Sequence, residues 1–264
     1  MDLDLSGRIA LVSGSTAGIG FATATGLARA GARVIVNGRT RGRVDAACEA
    51  IRAAIPGAEV IGAAFDLATT EGITQLVGAH PAVDVLVNNL GIFEPKPFAD
   101  IPDADWFRFF ETNVMSGVRL SRAYLPHMRS RNWGRIVFVS SESGLNIPAE
   151  MVHYGMTKAA QLAVARGIAE TVAATGITVN SVLPGPTKSE GVGAFVAQMA
   201  AARNSSEEEA ERFFFRDIRP TSLIKRFETV DEVANMIVYL ASPAASGTTG
   251  ASIRVDGGVV KTIA

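Results

Sequence analysis

Short apolar runs alternate with longer stretches whose apolar residues recur at helical spacing, and this continues from one end of the chain to the other. The runs are Arg8–Ser13, Arg33–Val36, Val60–Phe65, Val83–Val87, Ile136–Val139, Gly176–Leu183 and Ser252–Val255. They are rich in Val and Ile with little polar alternation, the pattern of strands covered on both faces. Between them Phe21–Ala30, Asp45–Ala54, Thr70–Ala79, Ala104 to about Met128, Val152–Ala174 and Thr229–Ala241 read as helices. Thr229 and Glu232 give the last of these a capping-box start. Strands that alternate with helices, with no Pro/Ser-rich linker or internal repeat, predict one doubly wound α/β domain with a parallel sheet over residues 1–264. Ser189 to Phe215 interrupts the alternation as an extra, mostly helical segment carrying Glu207–Glu209 and Phe213–Phe215.

Several strand ends carry residues suited to holding a ligand. The first strand enters Gly14-Ser15-Thr16-Ala17-Gly18-Ile19-Gly20 and then a helix. Strand, glycine turn and helix form a phosphate-binding unit, because glycines admit a pyrophosphate and a helix N-terminus offers free N–H groups. The spacing G-x-x-x-G-x-G also suits an ordinary tight turn. The second strand ends in Asn37-Gly38-Arg39-Thr40, followed by Arg41 and Arg43. In dinucleotide folds an acid at this end binds the 2′-hydroxyl of NAD, and an Arg accommodates the 2′-phosphate of NADP. Neutral Asn37 and basic Arg39 therefore favour NADP(H), with NAD(H) still open because an Arg also stacks on adenine. Asp66 closes the third strand, where it can accept from adenine, and Leu67 follows it. Asn88-Asn89-Leu90-Gly91 closes the fourth, with amides able to bridge strand ends or simply to form a turn. Asn113 lies inside the long helix, where Asn faces solvent or bonds backbone.

The segment Ser140–Lys158 concentrates the chemistry: a hydroxyl, Ser141, a phenol, Tyr154, and an amine, Lys158. Tyr154 and Lys158 stand four residues apart and share a helix face. A free Tyr titrates near ~10, and a cation beside it favours the phenolate and moves it toward general acid/base work. Ser141 follows a strand's C-terminal end, where open α/β sheets place ligands.

Composition narrows the classes. Of 264 residues, 48% are apolar and 19% charged, which supports a large core and excludes a disordered chain. The net charge of -1 gives no field for nucleic acid or an anionic membrane. No run approaches the roughly 18 apolar residues of a membrane span. The N-terminal MDLDLSGRIALV is acidic, unlike a signal peptide's basic start. Cys48 is the only cysteine, so no disulfide framework forms. A soluble, cytoplasmic protein without a metal site is expected. Arg129, Arg131 and Arg135 follow the long helix and read as complements of its dipole.

Taken together, Gly14, Gly18 and Gly20, Asn88-Asn89-Leu90-Gly91, Asn113, Ser141, Tyr154-x-x-x-Lys158, Pro184-Gly185 and the C-terminal VDGG resemble the short-chain dehydrogenase/reductase family nearly end to end. The thirteen-residue step from Ser141 to Tyr154 is the family's usual spacing and selects Ser141 over Ser140. The resemblance implies a Rossmann-like oxidoreductase that moves a hydride between a nicotinamide and a carbonyl or secondary alcohol. It implies Tyr154 as proton donor and acceptor, with Lys158 lowering the phenol's pKa and holding the nicotinamide ribose. Ser141 would bond the reacting oxygen, and Asn113 would sit at a helix distortion, holding a water that links Lys158 to solvent. Pro184, Gly185 and Thr187 would meet the carboxamide and Ser189 the pyrophosphate, ahead of a substrate lid at about 189–226. Homotetramers through Ala159–Ala174 and Ser252–Val255 are implied as well.

Three departures from the family pattern stand out. Ser13 replaces a common Thr and Ser189 another, each keeping the hydroxyl, while Leu90 replaces an Ala and adds bulk beside the cofactor floor. A 3-oxoacyl-acyl-carrier-protein reductase is the alternative activity, needing a surface for an acidic partner that Arg129, Arg131 and Arg135 only hint at. A nucleotide-binding protein without turnover is the alternative class, disfavoured because Tyr154 and Lys158 are both kept. The substrate mouth is expected among Gly91–Phe98, Glu142–His153 and Ser189–Phe215. Its Phe93, Leu145, Met151 and three phenylalanines suit either an apolar ligand or core packing.

Overall fold

The computed structural model describes residues 2–263. Seven parallel strands form one sheet in the order β3-β2-β1-β4-β5-β6-β7. They are β1 (Ile9–Val12), β2 (Arg33–Gly38), β3 (Val60–Ala64), β4 (Val85–Asn88), β5 (Gly134–Val139), β6 (Ile177–Pro184) and β7 (Ser252–Val255). The apolar runs without polar alternation are explained by the two faces. Ala10, Val12, Val34, Val36, Val85, Val87, Val137 and Val139 enter one buried cluster. Their neighbours Leu11, Ile35, Leu86, Ile136 and Phe138 enter the other. Helices α1 (Gly18–Arg29), α2 (Arg41–Ala54) and α9 (Val230–Ala241) supply the first layer. Helices α3 (Thr70–Ala79), α5 (Ser116–Ser130) and α6 (Val152–Thr171) supply the second. Fully burying one such side chain contributes roughly 1.5–3 kcal/mol, so the two layers fix the register of the sheet.

The strand order reverses at β1, which pairs with β2 on one side and β4 on the other. Successive crossovers leave β1 in opposite directions, opening a crevice at the C-terminal ends of these strands.

Element boundaries differ from the expected ones in ways that bear on this crevice. Helix α1 begins at Gly18, not Phe21, so Gly18, Ile19 and Gly20 form its first turn. Helix α2 begins at Arg41, with Thr40 at the N-cap position but no side-chain capping bond, which puts Arg41 and Arg43 in the first turn. The long helix is α4 (Asp103–Phe110), a π turn over Glu111–Met115, and then α5. Asn113 lies inside that π turn, as the resemblance implied. The capping box of Thr229 and Glu232 is formed, with both reciprocal hydrogen bonds present.

The extra segment folds as α7 (Glu190–Ala202), α8 (Glu207–Phe213) and a π turn over Phe214–Ile218. It has its own buried cluster of Val196, Ala200, Ala210, Phe214, Phe215 and Phe227. Arg129 in the last turn of α5, Arg131 just after it and Arg135 in β5 serve the frame. Arg129 donates to the Thr171 carbonyl at the end of α6. Arg131 lies 3.6 Å from Asp84. Arg135 is buried against the carbonyls of Gly134, Gly176 and Ser242. Of the three only Arg135 is buried, while Arg129 and Arg131 are exposed. Among the described residues no helix is long and apolar enough to cross a membrane, and no cluster of metal-ligating side chains occurs.

Candidate active site

Helix α6 brings Tyr154 and Lys158 against the loop that leaves β5. The Ser140 hydroxyl donates to the Lys158 carbonyl at 2.8 Å, tying the strand end to the helix. Gly144 permits the close approach: a Cβ there would lie 2.9 Å from the Lys158 carbonyl carbon. The backbone N–H of Ser143 donates to Ser141 Oγ at 3.1 Å. The Ser141 hydroxyl is then left to donate to the Tyr154 phenol, an interaction that favours the phenolate. Burial acts the other way and wins, pushing the phenol up to about 12, with the Glu142 charge adding to it. Burial likewise brings the Lys158 ammonium down to about 7. Its Nζ stands 5.5 Å from the centroid of the Tyr154 ring.

Lys158 Nζ donates to the Val139 carbonyl at 3.0 Å and to Gln161 Oε1 at 3.1 Å. The other end of the Gln161 amide donates to the Asn113 carbonyl at 2.6 Å. One buried side chain thus spans the π turn and the lysine. Sequence reasoning missed Gln161, although it lies one helical turn beyond Lys158 on the same face. The Asn113 side chain anchors the fourth strand's exit: it accepts from Ile92 N at 2.8 Å and donates to Ile92 O and to Thr157 Oγ1, each at 3.0 Å.

The glycine turn fits a nucleotide. Gly14 adopts a φ of 62°, which disfavours any other residue. Gly20 packs so closely that a Cβ would lie 2.4 Å from Gly14 O and 2.5 Å from Asn89 Nδ2. No side chain caps the N-terminus of α1 among the described residues, so its N–H groups face the crevice uncommitted to a capping oxygen. A cavity of about 270 Å³ lies beyond, lined by Thr16, Arg39, Asp66 and Leu67 among others. Ser15 is fully buried and works inside the turn, donating to Val12 O and accepting from Asn37 N.

Two expected cofactor residues also brace the frame. Asn37 turns inward, accepting from Gly14 N at 3.1 Å and donating to Ala63 O and Phe65 O at 3.0 Å each. Its amide holds the turn, and Asn37 lines the smaller cavity beside Gly38 and exposed Arg39. Asn88 bonds Ser121 on α5 at 3.2 Å and lines neither cavity. Its neighbour Asn89 lines the main cavity and bridges to Ser13 O and Gly14 O at 3.0 and 2.9 Å. Strand alternation puts the two asparagines on opposite faces. The Ser13 hydroxyl receives the N–H groups of Asn89 and Leu90, so the group kept in place of Thr is used. Leu90 lies against Gly14 and lines the smaller cavity.

Ile19, Asn89, Gly91, Ser141, Tyr154, Lys158, Pro184, Gly185, Thr187 and Ser189 surround one cavity of about 570 Å³. Its far end is lined by Phe93, Met151, Val192, Phe195, Phe214 and Phe227, together with Glu142, Glu150 and Arg219. Leu145 is exposed outside it. Of the three consecutive phenylalanines, Phe214 lines the cavity, Phe215 is core, and Phe213 lies under the Arg203 guanidinium at 3.6 Å. Thr187 is held by Glu228, which accepts from Gly185 N at 3.2 Å and from Thr187 Oγ1 at 3.5 Å. Burial brings the Glu228 carboxyl up to about 7. Neither Glu228 nor Arg219 carries a local sequence signal, since their partners lie 41 to 77 residues away.

The sequence profile described as short chain dehydrogenase matches residues 8–200. The chain is 46% identical to the uncharacterized oxidoreductase YvaG of Bacillus subtilis (strain 168), covering all of both chains. It is 32% identical to the 3-oxoacyl-(acyl-carrier-protein) reductase FabG of Aquifex aeolicus, over 98% of this chain and 100% of that one. It is similar in structure to L-sorbose reductase from Gluconobacter frateurii, solved with NADPH and L-sorbose, with a TM-score of 0.93, 30% identity and full coverage of both chains.

The glycine turn predicts its own test. A methyl at position 20 has backbone on one side and the Asn89 amide on the other, so the turn must open. Gly20→Ala is expected to keep the far-ultraviolet circular dichroism of the parent while weakening NADPH binding at least about tenfold, or ~1.4 kcal/mol, in a fluorescence titration. Unchanged affinity would show that the turn does not contact the nucleotide.

Proposed function

The chain belongs to the short-chain dehydrogenase/reductase family, and from that membership we propose how its residues divide the work of an NADP(H)-preferring carbonyl reductase. The protein is an NAD(P)-dependent oxidoreductase that transfers a hydride between a nicotinamide and a carbonyl or alcohol substrate. The observation that carries the assignment of roles is the convergence of Ser141, Tyr154 and Lys158 on one cavity that Ile19 of the glycine turn also lines.

A bound nicotinamide supplies the hydride in reduction and takes it in oxidation. The first turn of α1 and Gly14–Gly20 would hold the pyrophosphate, and Lys158 the nicotinamide ribose. Pro184, Gly185 and Thr187 would hold the carboxamide, and Glu228 positions them. Tyr154 donates its proton to the carbonyl oxygen as the carbon is reduced; a phenol held near 12 keeps that proton at neutral pH. Ser141 donates a second hydrogen bond to the same oxygen as charge develops on it. Lys158, when charged, offsets the cost of the phenolate left behind. Gln161 keeps the ammonium aimed by offering it a carbonyl oxygen and bracing that amide on Asn113.

Two outcomes follow for catalysis. Tyr154→Phe removes the proton donor and is expected to lower kcat by about 10²–10⁴ while nucleotide binding persists. In the wild type the Lys158 ammonium is present below about pH 7 and lost above it. Its kcat/KM for reduction should therefore hold on the acid side and decline as pH rises through that value. A Tyr154→Phe enzyme with more than about a tenth of the parent rate would remove the phenol from the mechanism.

Cofactor preference rests on Arg39, which lines the smaller cavity, with neutral Asn37 and not an acid at the end of β2. Its guanidinium suits a 2′-phosphate, a charged hydrogen bond contributing roughly 1.5–3 kcal/mol, or about ten- to a hundredfold. Comparing kcat/KM for NADPH and NADH should give such a preference in the wild type and its loss in Arg39→Ala. A parent that prefers NADH overturns this choice.

Assembly is proposed from α4 and the turn before it. Phe98, Phe107 and Phe110 there are 65%, 74% and 39% exposed, an apolar surface larger than isolated residues explain. Copies of the chain covering that face, together with the expected surfaces at Ala159–Ala174 and Ser252–Val255, would form a two-fold symmetric tetramer. Light scattering at micromolar concentration should give four chain masses, and a monomer mass would refute it.

A further inference from the structure

The ammonium of a lysine has three N–H donors and no acceptor. Lys158 spends two of them on the protein, one on the Val139 carbonyl at 3.0 Å and one on Gln161 Oε1 at 3.1 Å. The third is left for the main cavity, which Lys158 lines. Gly91 bounds another side, since a Cβ there would lie 3.5 Å from Lys158 Nζ and 3.5 Å from Asn113 Oδ1. Behind the ammonium stands the Gln161 amide, 1% exposed, with its Nε2 donating to the Asn113 carbonyl at 2.6 Å. The family resemblance implied a water at Asn113 that links Lys158 to solvent. In this chain a side chain already joins the lysine to the Asn113 carbonyl.

An amide differs from a water in two respects. It does not titrate, and its carbonyl end only accepts while its NH₂ end only donates, so it passes no proton along. It is also tethered, with α6 carrying its stem and the π turn holding its far end. An acceptor fixed in this way favours the charged form of the group that donates to it. Charged groups on the elements packed around α6 are engaged elsewhere. Glu142 and Glu150 pair with Arg219, Glu111 with Arg119, Asp105 with Arg108, and Arg135 with buried carbonyls. Strand β6 carries no charge. On α6 itself, His153 packs against Trp106 and Phe109, and the Tyr154 ring centroid lies 5.5 Å from Nζ. None of these moves the Lys158 ammonium, which burial alone brings down to about 7. Gln161 Oε1 and the Val139 carbonyl are the atoms that hold the charged form against that burial.

We propose that Gln161 is a positioning residue whose amide takes the place of a water behind Lys158 and, through an oxygen that cannot leave, extends the pH range over which the lysine stays charged. For its effect on turnover the inference rests on the carbonyl-reductase reading above. The titration of the ammonium is a property of the folded chain alone.

The experiment therefore titrates Lys158 directly. Lysine labelled with carbon-13 at Cε reports the charge of each of the five lysines by nuclear magnetic resonance, and Lys158→Met identifies the signal that matters. Gln161→Met keeps the length and loses the acceptor. Its Lys158 midpoint should fall below the parent's by about one to two pH units, the equivalent of one charge-assisted hydrogen bond. Gln161→Glu sets a carboxylate at the same place and should raise the midpoint by about one pH unit or more. Gln161→Ala, which leaves room for a water between Lys158 and the Asn113 carbonyl, should recover part of the loss seen in Gln161→Met. Midpoints that stay at the parent's value, that move the same way in Gln161→Met and Gln161→Glu, or that are as low in Gln161→Ala as in Gln161→Met each overturn the proposal. With NADPH and 2,3-butanedione, the alkaline limb of kcat/KM should follow the signal, to lower pH in Gln161→Met and higher pH in Gln161→Glu. A signal that moves as expected while that limb stays in place overturns the part given to Lys158 in turnover and leaves that of Gln161 standing.

Discussion

The site depends on how closely α6 lies against the loop leaving β5. One hydrogen bond, from the Ser140 hydroxyl to the Lys158 carbonyl, and one missing side chain, at Gly144, set that distance. With it fixed, Ser141 on the loop meets Tyr154 on the helix, and Lys158 reaches back to the strand's last carbonyl. The parallel sheet beneath is what makes such a contact durable. Its strands are apolar on both faces, so a slip by one residue would carry side chains between the two core layers without improving either.

Depth of burial then governs the chemistry. Desolvation moves the phenol and the ammonium apart, one up to about 12 and the other down to about 7. Both shifts favour the uncharged forms, as expected for a dry pocket. The polar groups that oppose this are few and fixed: Ser141 on the phenol, Gln161 and the Val139 carbonyl on the ammonium. A site built this way has little reorganisation left to do when charge appears.

Much of this was legible in the sequence, and what was not has identifiable causes. The apolar runs and helical spacings located all seven strands, because strands covered on both faces leave an unmistakable signature. The spacing of Tyr154 and Lys158 was readable for the same reason: a helix makes i and i+4 neighbours. Asn113 drew notice as a poor helix residue, and the π turn explains its presence. Phase errors were harder to avoid. Asn88 sits one residue from Asn89, which lines the main cavity, and only the pleat decides which neighbour faces in. Glu142 and Arg219 are separated by 77 residues, so no local pattern joins them. Gln161 was in plain sight one turn past Lys158, yet a neutral side chain on an Ala-rich helix reads as filler until its two hydrogen bonds are drawn.

The helical segment over the cavity keeps a hydrophobic cluster of its own, separate from the two layers that sandwich the sheet. The Thr187–Glu228 bridge joins its two ends, and the Arg219 ion pairs tie it to the body. For an evolving lineage this amounts to a division of labour. Mutations that reshape the cap are absorbed by its private core and leave the nucleotide platform intact. Selection can therefore trade one substrate for another without renegotiating the stability of the whole, and descendants of a common scaffold can diverge in diet while sharing a coenzyme.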